Sequence, residues 1–169
     1  MDGGYYKPQE FLDDINSKYN DGPLCIAQDS TTIYFTRNSY GKRNKSGDGT
    51  YKLRIFKGTI VGNSLYMPQD LNFNNNNYNC AHPAISYDGN TLYFASSGRQ
   101  GFGGLDVFQS DLAKGTPAQN MGKPINTEKD DFSFTFNSKN KIGFFSSNRT
   151  GNDEIYGAQP ICTTELLAQ

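Results

Sequence analysis

No stretch of this 169-residue chain approaches the run of about 18 apolar residues that a membrane-spanning helix needs, so nothing in it reads as a span. An excess of charge is also missing. Sixteen Lys and Arg balance seventeen Asp and Glu, and a net charge of -1 argues against nucleic acid or an anionic membrane surface as the main partner. Histidine is nearly absent. His82 alone is available as a catalytic base, and no G-x-S-x-G elbow accompanies it, which argues against a Ser–His–Asp hydrolase. Cysteine is scarce, and Cys25, Cys80 and Cys162 are odd in number without metal-ligand spacing, so at least one is unpaired within the chain. The opening stretch Met1–Glu10 has neither a basic start nor an apolar core, so no signal peptide is visible and the start of the chain does not specify a compartment.

Large rings and turn formers are plentiful. Twelve Phe and eleven Tyr suit flat, layered strands, and eighteen Gly, seven Pro and many Asn mark frequent turns. This composition predicts an all-β protein of short strands.

One pattern recurs. A polar turn leads into an apolar triplet at Ile33-Tyr34-Phe35, again at Leu92-Tyr93-Phe94, and again at Ile142-Gly143-Phe144. The turns before them are Asp29-Ser30-Thr31, Asp88-Gly89-Asn90 and Ser138-Lys139-Asn140. An arginine follows each triplet (Arg37, Arg99, Arg149), and each unit closes on a further short strand, Leu53–Phe56, Leu105–Phe108 or Asp153–Tyr156. Asp88-Gly89 has the chemistry of a tight hairpin, since glycine accepts positive φ and aspartate bonds the turn backbone. Three or four short antiparallel strands per repeat describe a β-propeller blade, in which the triplets line the layers between neighbouring sheets. The expected organisation is an N-terminal segment at 1–20 contributing to a preceding blade, repeats at 21–62, 63–115 and 116–158, and an exit linker at 159–169. Propellers close with about 4–8 blades. Three repeats therefore imply part of a larger ring of about six, or a homodimer of the chain that completes one.

The other polar motifs favour structure over chemistry. A glycosidase needs two facing carboxylates, and Asp88, Asp106, Asp130, Asp131, Asp153 and Glu154 are the acids available. Asp88 belongs to a turn, and Asp106 and Glu154 recur at matching strand positions, as structural residues do. The loop Gly98–Gly104 has the glycines of a phosphate cradle, but a strand follows it where a cradle needs a helix. The Asn-rich stretch Asp70–Cys80 lacks the spacing of a calcium loop and reads as a linker between blades. The basic insertion Tyr40–Lys52 reads as a solvated hairpin tip, and the sequon at Asn148-Arg149-Thr150 carries little weight. Arg99 and Arg149, with Asp106 and Asp153 shortly after them, suggest an arginine–carboxylate pair pinning each blade. His82 is expected to bridge to the neighbouring blade. No cofactor or metal is implied.

The stretch "NNNNYNCAHPAISYDGNTLYFASSGRQGFGGLDVFQS" resembles the TolB-type, WD-like propeller repeat, especially as found in OmpA-family outer-membrane-associated proteins of the Bacteroidetes. "GKPINTEKDDFSFTFNSKNKIGFFSSNRTGNDEIY" and "NDGPLCIAQDSTTIYFTRNSYGKRNKSGDGTYKLRIF" resemble the adjoining repeats, so the likeness runs from about Asn16 to Gly157. It implies a non-enzymatic scaffold of the periplasm, outer-membrane-associated, with a cell-envelope protein or peptide as partner, of the type IX secretion or gliding kind. Two other functions stand beside it: a propeller that binds or hydrolyses glycans, and a purely structural spacer.

Overall fold

The computed structural model describes residues 7–38 and 40–160. Cys162 and all but the first two residues of the expected exit linker lie outside the described residues, as does the opening of the N-terminal segment.

The described chain is all-β: eleven strands in three antiparallel sheets. The first sheet takes β1 (Asp21–Ile26), β2 (Thr32–Asn38), β3 (Leu53–Val61) and β4 (Ser64–Asp70) in sequence order. The second takes β5 (Asn79–Ile85), β6 (Thr91–Ser97), β7 (Leu105–Asp111) and the two-residue β8 (Gln119–Asn120). The third is β9 (Asp131–Asn137), β10 (Ile142–Ser147) and β11 (Glu154–Ala158). The sheets thus end later than the repeats read from sequence, with β4 beyond residue 62 and β8 beyond 115.

Side-chain oxygens close the β-hairpins that enter each second strand. Asp29 Oδ1 accepts the N–H groups of Thr31 and Thr32, Asp88 Oδ1 accepts that of Asn90, and Asn137 Oδ1 accepts those of Lys139 and Asn140. In the third hairpin the anchor is therefore Asn137, one position before the expected Ser138.

The first strands β1, β5 and β9 lie side by side, and the sheets fan outward from them. Successive side chains alternate between the two faces of each sheet. Tyr34 and Ile55 of the first sheet meet Cys80, Leu92, Phe94 and Phe108 of the second. Tyr93 and Val107 on the second sheet's other face meet Phe134, Phe136 and Phe145 of the third. Leu12 and Ile15 cover Ile33 and Phe35 on the first sheet's outer face. The second strands β2 and β6 therefore each serve two layers.

Strand register corrects the third triplet. A cross-strand aromatic pair marks the same place in every sheet: Phe35 opposite Phe56, Phe94 opposite Phe108, and Phe145 opposite Tyr156. Their ring centroids are 5.7, 5.9 and 5.7 Å apart. Phe145 is thus the counterpart of Phe35 and Phe94, and the third triplet is Gly143-Phe144-Phe145, one residue later than the sequence suggests. Phe145 is buried, whereas Phe144 is 43% exposed. A one-residue slip moves every side chain to the opposite face. The cause is Gly143, which stands where Ile33 and Leu92 stand in the other sheets. A Cβ there would lie 2.6 Å from Phe134 Cζ, so the Phe134 ring fills the place of the missing side chain.

Candidate functional site

The repeats build two kinds of polar site. One lies between sheets. Asn74 Oδ1 accepts the Ile55 N–H at 3.0 Å while its Nδ2 donates to the Ile55 carbonyl at 2.7 Å. Asn126 does the same to Val107, at 2.7 and 2.8 Å. Ile55 and Val107 occupy the same register position, so one carboxamide stands in for a neighbouring strand at that point. A second acceptor, on or just before the next sheet's first strand, caps the start of β3 and of β7: Asn79 Oδ1 receives the Leu53 N–H and Asp130 Oδ1 receives the Leu105 N–H.

The arginines work in this same linker region, with different partners from those expected. Arg149 Nη2 donates to the Ile125 carbonyl and to Asp131 Oδ1, each at 2.8 Å. Arg37 takes the matching partners, donating from Nη2 to the Ile15 carbonyl and from Nε to Asp21 Oδ1. Arg99 Nη2 donates to the Phe73 carbonyl at 2.6 Å. All three therefore bond the residue just before an asparagine at 16, 74 or 126. The carboxylate partner lies on or beside the first strand, at Asp21 or Asp131, and not at Asp106 or Asp153. In the second sheet that position is Cys80, so among the described residues Arg99 meets no carboxylate; it stacks over Tyr78 at 4.4 Å, and its buried Nε has no hydrogen-bond partner among them.

Asp106 instead accepts the N–H groups of Phe102 and Gly103, folding the glycine-rich loop onto its carboxylate. A side chain at Gly101 would collide with that carboxylate, its Cβ 1.7 Å from Oδ2. Burial, with help from nearby Asp131 and Asp130, pushes the Asp106 carboxyl above the usual range against the pull of those two N–H groups. Asp153 is exposed, and Glu154 accepts from Thr150 and Tyr156.

His82 reaches across to the third sheet, its Nδ1 2.8 Å from Ser133 Oγ and its ring against Phe132. Burial lowers its basicity. Both residues sit at left-handed backbone positions, φ 56° and 55°, on neighbouring first strands.

The other kind of site is a cavity of about 870 Å³ where β1, β5 and β9 end. Its wall is made by equivalent pieces of three repeats: Ile26 and Gln28, then Ile85, Ser86 and Tyr87, then Thr135 to Lys139 with Phe144. Tyr87, 63% exposed, stands at its rim. The turn aspartates at this end are held acidic. Asp29 falls to about 2 through the Thr32 hydroxyl and the Thr32 and Thr31 N–H groups, and Asp88 is lowered by Ser86 and Asn90. Among the described residues no cluster of three or more His, Cys, Asp or Glu is arranged to hold a metal ion. Neither the cavity nor the asparagine clamps were anticipated from the sequence. Asn126 had a signal in the paired stretches Ile15-Asn16-Ser17 and Ile125-Asn126-Thr127.

No protein-family model matches the chain, and no curated protein does. Solved structures do. A TolB-type protein from Agrobacterium tumefaciens aligns with a TM-score of 0.57 at 17% identity, over 80% of this chain and 41% of that one. TolB from Acinetobacter baumannii aligns with a TM-score of 0.59 at 16% identity, over 85% of this chain and 30% of that one. A prolyl endopeptidase aligns with a TM-score of 0.55 at 12% identity, over 85% of this chain and 20% of its own length. The chain spans less than half of each, and at these identities the likeness is one of fold: three blades of a TolB-like β-propeller.

Proposed function

We propose that this chain is a non-enzymatic protein-interaction module of the bacterial cell envelope, periplasmic and outer-membrane-associated, that receives a peptide or protein segment at the cavity where its first strands end. The observation that carries this reading is the convergence of three equivalent hairpins on one 870 Å³ hollow with an exposed tyrosine at its rim. Binding residues concentrate on loops that a rigid scaffold presents. The polar linings Gln28, Ser86 and Asn137 suit a peptide backbone, and Tyr87 supplies an aromatic anchor of the kind that dominates binding energy. The resemblance of the repeats takes the reading further, to scaffolds of the type IX secretion or gliding kind. Two open sheet faces support a homodimer that completes the ring.

Selection of a random peptide library against the protein tests the site. Enriched peptides are expected to lose at least tenfold in affinity for Tyr87→Ala while the melting temperature holds. Peptides that bind wild type and Tyr87→Ala alike would remove the cavity from the account.

A further inference from the structure

The two outer faces of this molecule carry complementary parts of the device that joins its sheets. Residues Ile15 to Asp21 repeat Ile125 to Asp131 in structure. Ser17 N–H donates to Asp21 Oδ2 as Thr127 N–H donates to Asp131 Oδ2, both at 2.6 Å. Arg37 grips Asp21 and the Ile15 carbonyl as Arg149 grips Asp131 and the Ile125 carbonyl. By this match Asn16 is the counterpart of the Val107 clamp, Asn126. Yet Asn126 is fully buried, while Asn16 is exposed and bonds to nothing among the described residues. This face is a clamp with no strand in it.

Among the described residues, the opposite face has the strand and no clamp. Ile155 holds the register position of Ile55 and Val107, both fully buried, but is itself 80% exposed. Phe144 holds the position of Tyr93, which packs on Phe134 and Phe136 at 4.9 and 6.4 Å between ring centroids. The counterparts of those two rings on the first sheet are Leu24 and Ile26, each 41% exposed. Every group left open at one end thus has its mate left open at the other.

We infer that a second copy of this chain occupies these faces, head to tail, so that Asn16 of each copy binds the Ile155 N–H and carbonyl of the other and Phe144 seats on Leu24 and Ile26. This continues the interface already present twice inside the chain. A head-to-tail contact closes into a ring only when its rotation allows, and two copies of three blades give six, within the range of about 4–8 at which propellers close. The inference rests on the reading of the chain as propeller blades; its contact takes in Ile26 and Phe144 of the cavity wall but not Tyr87.

Sedimentation equilibrium of the whole chain provides the test, with Ile155→Lys as the tail variant and Leu24→Lys as the head variant. Both positions are exposed, so the single chain keeps its fold, which circular dichroism checks. Wild type is expected at twice 18.8 kDa. Each variant alone is expected at the single mass, and an equal mixture of the two is expected to regain the double mass through its one intact interface. Asn16→Ala is expected to weaken the dimer at least tenfold. A wild-type monomer, whose faces then await some other occupant, overturns the inference. So does a dimer indifferent to both lysines, or an open ladder of masses. Peptide binding on the same samples separates the two readings, since a monomer that still binds peptides through Tyr87 loses only this one.

Discussion

Asn126 bonds both backbone groups of Val107 with one buried carboxamide; without it the carbonyl keeps the Met121 N–H at 3.0 Å, but the buried Val107 N–H is left unpaired. Leaving buried donors and acceptors unpaired costs about 1–3 kcal/mol. Asn126→Ala is therefore expected to lose about that much in urea unfolding, and Asn74→Ala likewise. Asn16→Ala is expected to leave the monomer unchanged. Arg149→Ala strands the fully buried Asp131 carboxylate, and breaking a buried pair from one side costs about 3–5 kcal/mol. Arg99→Ala should cost less, because Cys80 replaces the carboxylate there. At the hairpin turns the effect is one of pH. Asp29 titrates at about 2 in the fold against 3.8 unperturbed, so its contribution is complete above 3.8 and vanishes as pH falls through 2. The melting-temperature gap between wild type and Asp29→Ala is expected to be widest near neutral pH and to close between pH 4 and pH 2. A gap constant across that range would contradict the assignment.

The strand pattern was legible at the level of elements because each repeat puts its turn, inner strand and closing strand in one order, and local chemistry specifies each: Asp29 and Asp88 bond their own turns, and Tyr34, Phe35, Tyr93 and Phe94 supply the rings. The third repeat was read one residue out of register because Gly143 carries no side chain to mark its face, and the ring that fills the gap, Phe134, comes from another strand. The arginine partners differ from the sequence expectation for a similar reason. Asp106 and Asp153 follow Arg99 and Arg149 closely in sequence, but the carboxylate that matters lies beside the first strand, before the arginine in the chain. Asn74 and Asn126 act on backbone 19 residues away in the chain, and the apolar triplets do not mark them. Gly143→Leu tests the filled gap. It would force a side chain into the Phe134 ring and is expected to cost about 1–3 kcal/mol, with the loss largely relieved by a compensating Phe134→Ala.

The whole molecule is three sheets joined by one repeated device, in which aromatic rings bury against the next sheet and an asparagine from the linker replaces a missing strand. The first sheet's outer face and the third sheet's outer face carry the same device with its partner absent from the described residues. Residue-resolved amide exchange in the wild type and in Asn126→Ala tests this account most directly. It predicts slow exchange at Ile55 and Val107 in wild type, and a selective release of Val107, with Ile55 still protected, when Asn126 is removed. Equal protection of Val107 in both proteins would contradict it.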